Sequence, residues 1–265
     1  MLTYATMLTD IETGYEGKFD FAARQQGPEL TYLLASVPRA GSTYFSHLLW
    51  RTGCLGAPLE YLNFEPAGPY GFAGGSPELQ RRLWRSVLRR RCSANGVFGL
   101  KASPPQLEQL KRKNPTLLEE VLATILPQGR PGRVVYLRRR DRLAQTVSYA
   151  RASLSGVWRK EQESAAVPRI DYSEEALDAA ERGIAFQEAA WEQMFTELRI
   201  EPLVVWHEDA LAEGTAVAEA VANYLGVSVD PGATTEVPLI EKQSDGDSRE
   251  WVERYAGSRG TLTAP

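Results

Sequence analysis

The loop between the first apolar segment and the helix expected after it has the chemistry of an anion-binding site. It reads PRAGST and covers residues 38–43. Gly41 lets a ligand approach the backbone, Ser42 and Thr43 offer hydroxyl groups, and Arg39 supplies positive charge. The loop lacks the GxxxxGK[ST] spacing and the lysine of a Walker A motif. A turn whose serine and threonine only cap the next helix would have the same composition.

A second cationic group follows another apolar segment, RVVYL, at residues 133–137. Arg138, Arg139 and Arg140 come directly after it, and Ser148 lies about two to three helical turns further on. An arginine at a strand end and a serine on the following helix can bind one phosphate together. A solvated basic edge would also explain the arginine triplet.

The elements that must position these groups alternate between strand and helix. Short apolar segments predict buried strands over residues 31–37, 97–101, 133–137 and 203–206, and residues 59–64 are expected to add a short strand. Helical spacing predicts helices over residues 44–51, 76–91, 141–154, 173–198 and 215–225. This alternation predicts an α/β fold with a mostly parallel sheet, in which ligands bind beyond the carboxyl ends of the strands.

Composition excludes several classes of protein. The chain has 265 residues and a formal net charge of −4, without an apolar run long enough to span a bilayer. Two cysteines and two histidines argue against a disulfide framework and against a metal site, and Cys54 and Cys92 are expected to be buried thiols. We expect one cytoplasmic domain over residues 1–265, with an N-terminal extension at 1–28 and a frayed tail at 256–265.

Several segments together resemble the bacterial trehalose 2-sulfotransferase family, whose members use 3′-phosphoadenosine-5′-phosphosulfate (PAPS). The resemblance covers nearly the whole chain and rests on the segments YLLASVPRAGSTYFSHLLWRTG, GAPLEY, FGLKAS, LRRRDRLAQTVSYARASLSGVW and IEKQSDGDSREWVERY. It implies a P-loop-like three-layer sandwich of the sulfotransferase type. It also implies that the product nucleotide is adenosine 3′,5′-bisphosphate (PAP) and that the protein is a homodimer.

The resemblance implies a donor site built from three parts of the chain. The loop residues Arg39, Ala40, Gly41, Ser42 and Thr43 would hold the 5′-phosphosulfate, with Ala40 replacing a serine that is usual in the family. Arg139 or its neighbour Arg138 would hold the 3′-phosphate together with Ser148. Lys242 and Gln243 would lie in a C-terminal strap over the nucleotide.

On the acceptor side, the resemblance assigns the role of general base to Glu60. Lys101 ends a predicted strand at the same edge, where its charge could stabilise the leaving oxygen or bind the acceptor. A solvated lysine that closes the strand is the alternative. Tyr61 and Trp158 are the candidates for contact with the acceptor, and Trp158 would offer a flat apolar wall. Ala57 stands where the family often has an acidic sugar-contacting residue, which weighs against trehalose itself. The reaction requires no metal.

The sequence therefore favours a sulfotransferase that moves a sulfuryl group from PAPS to a hydroxyl of a carbohydrate, glycolipid or other small metabolite. Residues 65–76 and 159–172 are the variable loops in which we expect acceptor specificity to lie. The runner-up is a P-loop phosphotransferase that uses ATP, although the Walker lysine is missing. A nucleic-acid-binding module that uses the arginine clusters, including the arginine-rich helix at 77–91, is the weakest hypothesis because the net charge is negative.

Overall fold

The predicted parallel sheet is confirmed by a computed structural model, which describes residues 12–66, 68–127, 132–158, 170–238 and 246–262. The strands are β1 (Leu30–Ser36), β2 (Val97–Ala102), β3 (Val134–Arg138) and β4 (Leu203–Trp206). Their order across the sheet is β2-β1-β3-β4, and every neighbouring pair is parallel. Because all four strands run the same way, their carboxyl ends meet at one edge.

Helices connect the strands and flank the sheet. In chain order they are α1 (Ser42–Arg51), α2 (Pro77–Arg90), α3 (Pro104–Lys113), α4 (Pro115–Ile125), α5 (Arg142–Ser155), α6 (Glu174–Leu198), α7 (His207–Ala212), α8 (Gly214–Leu225) and α9 (Gly246–Leu262). The start of α2 matches the sequence signal, since the Ser76 hydroxyl accepts a hydrogen bond from the Leu79 N–H at 3.3 Å and Pro77 is the first helical residue.

Alternation along β1 divides the core between the two faces of the sheet. Leu33 and Ala35 face one cluster, which includes residues of α2, α4 and α6. Tyr32 and Leu34 face the other, which includes residues of α1 and α8. Both faces of β1 are therefore buried, as a parallel sheet in a three-layer arrangement requires.

The structure differs from the sequence-based expectations at residues 59–64, which do not form a strand. Leu59 makes an isolated parallel bridge with Leu100, but the next main-chain bonds are local. The N–H of Tyr61 donates to Leu59 O at 3.1 Å, and the N–H of Asn63 donates to Glu60 O at 3.3 Å. These turns leave no backbone groups in register for a ladder, so the position of this segment depends on its side-chain contacts.

Further differences concern helix boundaries. Pro104, expected only to end a strand, is the first residue of α3, and the helices α3 and α4 were missed altogether. Ser103 and Gln106 form a capping box there, which explains why a Pro-Pro pair can open a helix. The tail expected to fray after Tyr255 is helical as far as Leu262.

Burial confirms the expectation for the cysteines. Cys54 and Cys92 are buried free thiols, and Trp191 and Trp251 lie in the core. Arg91, at the end of the arginine-rich helix, is also buried, with 2% of its surface exposed, and its guanidinium pairs with Asp20 at 2.9 Å. Among the described residues, no helix has both the length and the apolar character needed to cross a bilayer.

Candidate functional site

The loop after β1 has a backbone shape that only glycine permits at one position. Gly41 precedes α1 in the left-handed conformation with φ of +82°, and a Cβ there would lie 2.1 Å from Nδ1 of His207. Arg39 also has a positive φ, at +66°. The first N–H groups of a helix have no partner within the helix, so the start of α1 presents donors to an anion.

Side chains from three other elements hold this loop in place. Trp191 Nε1–H donates to Ser36 O at 3.0 Å, and Gln145 Nε2 donates to Pro38 O at 3.1 Å. Arg139 Nη1 donates to Arg39 O at 3.2 Å. One carbonyl group at the end of β1 and two in the loop are thus fixed by α6, by α5 and by the residue that follows β3. Fixed dipoles of this kind bind charge without reorganising first.

The two cationic groups singled out in the sequence lie side by side. Arg39 Nε donates to Ser148 Oγ at 2.8 Å, and Arg39 Nη1 donates to the carbonyl oxygen of Trp158 at 2.6 Å. Since Arg139 also contacts the Arg39 carbonyl, the structure brings together Arg39, Arg139, Ser148 and the main chain of Trp158. A single elongated dianion could therefore touch both groups.

The three consecutive arginines have different environments. Arg138 lies 3.7 Å from a Glu188 carboxylate oxygen, and Arg140 is exposed and paired with Asp209. Arg139 forms no ion pair with a carboxylate in the described part of the chain, and its Nε, like that of Arg138, is buried without a hydrogen-bond partner. Burial lowers the pKa of the Arg139 guanidinium, against the opposing effect of Asp141. Of the three side chains, Arg139 therefore has the most unused capacity to bind an anion.

A buried lysine connects the anion-binding loop to the acidic residue of GAPLEY. Lys101 is 1% exposed, and its Nζ lies 3.3 Å from Glu60 Oε1 and 3.5 Å from Thr43 Oγ1. Lys101 is thus not the solvated strand end that the sequence left open as an alternative. The two residues predicted to be catalytic contact each other, and the contact lies beside the loop.

Tyr61 and Trp158, the two aromatic candidates for acceptor binding, are placed very differently. Tyr61 is 1% exposed, stacks on Phe98 and donates its hydroxyl to the Ala57 carbonyl. Burial raises the pKa of Tyr61 well above its ordinary value. Tyr61 therefore supports the segment from inside the core and presents no open face to an acceptor. Trp158 is 39% exposed, and its ring lies 5.9 Å from the ring of Tyr149.

Several residues of the site were not found by sequence reasoning. The hydroxyl of Tyr15 accepts a hydrogen bond from the Glu60 N–H at 3.0 Å, His207 packs on Gly41, and Gln145 holds the loop. No spacing rule links these residues to the loop, because their contacts join distant parts of the chain. Lys242 and Gln243 lie outside the described residues. Among the described residues, no three His, Cys, Asp or Glu side chains form a group that could hold a metal ion.

Both sequence comparisons relate this chain to sulfotransferases. The family "Stf0 sulphotransferase" matches residues 31–258. A trehalose 2-sulfotransferase of Mycobacterium tuberculosis is 26% identical over 264 residues, covering 88% of this chain and 97% of that protein. Its counterpart in Mycolicibacterium smegmatis is 28% identical over 252 residues, covering 84% and 93%. The sulfotransferase domain of the Synechococcus PCC 7002 olefin synthase aligns with a TM-score of 0.41 and 13% identity, over 89% of this chain and 98% of that domain.

Proposed function

The chain belongs to the Stf0 sulfotransferase family, and we propose that it transfers a sulfuryl group from PAPS to a hydroxyl of a carbohydrate, glycolipid or other small metabolite. The observation that carries this proposal is the contact between Arg39 and Ser148. PAPS is anionic at its 5′-phosphosulfate and at its 3′-phosphate. A donor site for it needs two adjacent groups of cations and hydrogen-bond donors. The loop after β1 would supply one group, and Arg139 with Ser148 would supply the other.

The donor would be held by the loop after β1, by Arg139 directly after β3 and by Ser148 on α5. Arg39 and Gly41–Thr43, with the main chain of Ala40, would bind the 5′-phosphosulfate at the start of α1. Arg139 and Ser148 would bind the 3′-phosphate. Arg139 fits this role better than Arg138, because Arg138 already pairs with Glu188 and Glu192. The contribution of Lys242 and Gln243 stays a prediction.

Glu60 would take the proton from the acceptor hydroxyl as the sulfuryl group moves in line to that oxygen. Lys101 Nζ lies between Glu60 and Thr43, so its positive charge is shared by the base and by the loop that would hold the leaving phosphate. A buried cation in this position stabilises negative charge on the leaving oxygen. PAPS supplies the activated sulfuryl group, and no step requires a metal.

A sugar acceptor is supported by the relatives named as trehalose 2-sulfotransferases. The half-exposed ring of Trp158 offers an apolar wall of the kind that packs on a sugar ring. Ala57 is completely buried, so this position provides no polar contact to a disaccharide. We therefore favour a carbohydrate acceptor other than free trehalose.

The homodimer also stays a prediction. Light scattering of the purified chain tests it.

The proposed function is tested by two measurements on the purified full chain. Thermal unfolding with PAP, and separately with ATP and Mg²⁺, shows which nucleotide binds, because a ligand that binds only the folded state raises Tm. Incubation with PAPS and a panel of sugars and cell-extract fractions, followed by mass spectrometry, should yield a product heavier by one SO₃ group. Stabilisation by Mg²⁺ and ATP but not by PAP would instead indicate a phosphotransferase.

A further inference from the structure

Residues 12–20 lie outside the family match at residues 31–258, yet they contact the proposed base. The phenol oxygen of Tyr15 accepts a hydrogen bond from the main-chain N–H of Glu60 at 3.0 Å. We call residues 12–20 the N-terminal clasp. The clasp can position Glu60 only if its own main chain is held in place.

Buried Arg91 anchors the clasp to the end of α2. Arg91 Nη1 donates to Gly14 O at 2.8 Å, and Arg91 Nη2 donates to Glu16 O at 3.0 Å. Its Nε lies 2.9 Å from a carboxylate oxygen of Asp20. A guanidinium that is 2% exposed is costly to leave without partners, and the clasp provides them. The path of the clasp is therefore specified by a buried charge.

The turn before Tyr15 is closed by a carboxylate. Glu16 Oε1 accepts hydrogen bonds from the Thr13 N–H at 2.8 Å and the Thr13 hydroxyl at 2.7 Å, and its Oε2 accepts one from the Gly14 N–H at 2.8 Å. Gly14 has φ of +88°, and a Cβ there would lie 3.2 Å from the ring of Trp50. These bonds therefore hold the backbone that carries Tyr15 in place.

The ring of Tyr15 also reaches the expected acceptor loop. It packs edge-on against Tyr70 at 5.6 Å between ring centroids and against Tyr61 at 6.3 Å. Tyr70 belongs to residues 65–76, one of the two segments in which we expect acceptor specificity to lie. Tyr15 therefore connects the proposed base to that loop through its hydroxyl and its ring.

Glu60 needs such support because its segment is not part of the sheet. Beyond the bridge between Leu59 and Leu100, residues 59–64 form turns, so no ladder fixes the Glu60 main chain. The Glu60 carboxylate lies 3.3 Å from Lys101 Nζ and 3.5 Å from Asn63 Nδ2, and both distances are long for hydrogen bonds. The Tyr15 bond at 3.0 Å is the shorter restraint.

We propose that Tyr15 is a positioning residue, which holds Glu60 where its carboxylate can reach the acceptor hydroxyl, and that the N-terminal clasp belongs to the acceptor side of the site. The inference rests on the proposed function, because it assigns Glu60 the role of base. The N-terminal clasp lies before residue 31, where the family match begins, so Tyr15 is not among the residues matched to the family.

The test compares two substitutions that each remove one phenol oxygen from the full chain. Tyr15→Phe removes the acceptor of the Glu60 N–H, while Tyr224→Phe removes the acceptor of the Val134 N–H at 3.2 Å, at the amino end of β3 and the opposite edge of the sheet. Tyr15→Phe should lower kcat about tenfold and leave PAP affinity within about twofold of the wild type, since only the base is misplaced. Tyr224→Phe should leave kcat unchanged.

Hydrogen exchange provides a readout that needs no acceptor. With PAP bound, Tyr15→Phe should increase exchange of the peptide covering residues 57–64, and Tyr224→Phe should not. Unchanged exchange there, or wild-type kcat in Tyr15→Phe, overturns the inference. If exchange increases but the wild-type chain neither binds PAP nor makes a sulfated product, the proposed function fails and the catalytic role of Tyr15 fails with it. The hydrogen bond itself would then be purely structural.

Discussion

Arg39 Nε and Ser148 Oγ are joined by a hydrogen bond of 2.8 Å across 109 residues of sequence. The sheet makes this contact possible, because β1 and β3 are parallel neighbours whose register pairs Ser36 with Leu137. Their carboxyl ends are therefore level, and the loop after β1 faces the helix after β3. One edge of one sheet thereby brings together the two groups of residues that we propose bind the donor.

The first prediction concerns this shared site. We expect Arg39→Ala and Ser148→Ala each to weaken PAP binding, by about tenfold to a hundredfold for the arginine, since a hydrogen bond to a charged group is worth about 1.5–3 kcal/mol. The loss for the serine should be smaller. Isothermal titration with PAP measures both. Arg112→Ala is the matched control, because Arg112 is exposed and its ion pair in the described part of the chain is with Glu108. Unaltered PAP affinity in Arg39→Ala would contradict the assignment.

The second prediction separates two neighbouring arginines. Arg139→Ala should reduce PAP affinity strongly with a modest change in Tm, because among the described residues it loses one hydrogen bond, to Arg39 O, and no ion pair. Arg138→Ala should do the reverse, since it leaves Glu188, which is nine-tenths buried, with one cation fewer. Titration with PAP and thermal unfolding of both variants measure the difference. Equal losses of PAP affinity would show that the 3′-phosphate lies between the two side chains.

The third prediction concerns the base. Glu60→Gln keeps the shape of the side chain and an oxygen for Lys101, but it cannot accept the proton. We expect kcat to fall by about 10²- to 10⁴-fold, while stabilisation by PAP is retained. Activity is measured from the sulfated product and binding from the PAP-induced rise in Tm. Glu219→Gln, an exposed change on α8, controls for the loss of one charge. Normal turnover in Glu60→Gln would remove the assigned base.

The parts of the fold that the sequence predicts well are those encoded over short distances. The strands and the helix starts at Ser76 and Ser173 follow from apolar spacing and from caps within a few residues. The same locality explains why PRAGST and RRR could be singled out as candidates for anion binding. A parallel sheet then places both groups at one edge without any further information.

The parts that sequence reasoning missed depend on long-range contacts. Arg91 has the pattern of a solvated arginine, and only its bonds to the N-terminal clasp make it a buried anchor, among them the bond to Gly14, 77 residues away. Tyr15 contacts Glu60 from 45 residues away, and no spacing rule reports such a pair. Tyr61 is one of the two aromatic candidates for contact with the acceptor. The turns at residues 59–64 instead direct its ring into the core.

The last prediction tests the N-terminal clasp through pH. Burial would raise the pKa of the Glu16 carboxyl, but hydrogen bonds from Thr13 and Gly14 outweigh it, and the pKa is lowered from its ordinary value of 4.5. A carboxyl whose pKa is lower in the folded state stabilises the fold above its unfolded pKa, and this stabilisation is lost as pH falls through the folded value. Protonation would remove acceptors that close the turn before Tyr15.

Glu16→Gln should therefore have a lower Tm than the wild type at pH 7, and the difference should shrink as pH falls below about 4.5 towards about 3. Thermal unfolding of both proteins across this range measures it. Glu219→Gln again serves as the control, because its carboxylate is exposed on α8. A Tm difference that stays constant over the whole range would mean that the Glu16 charge does not hold the clasp. The position of the clasp would then depend on its other contacts, such as the bonds from Arg91.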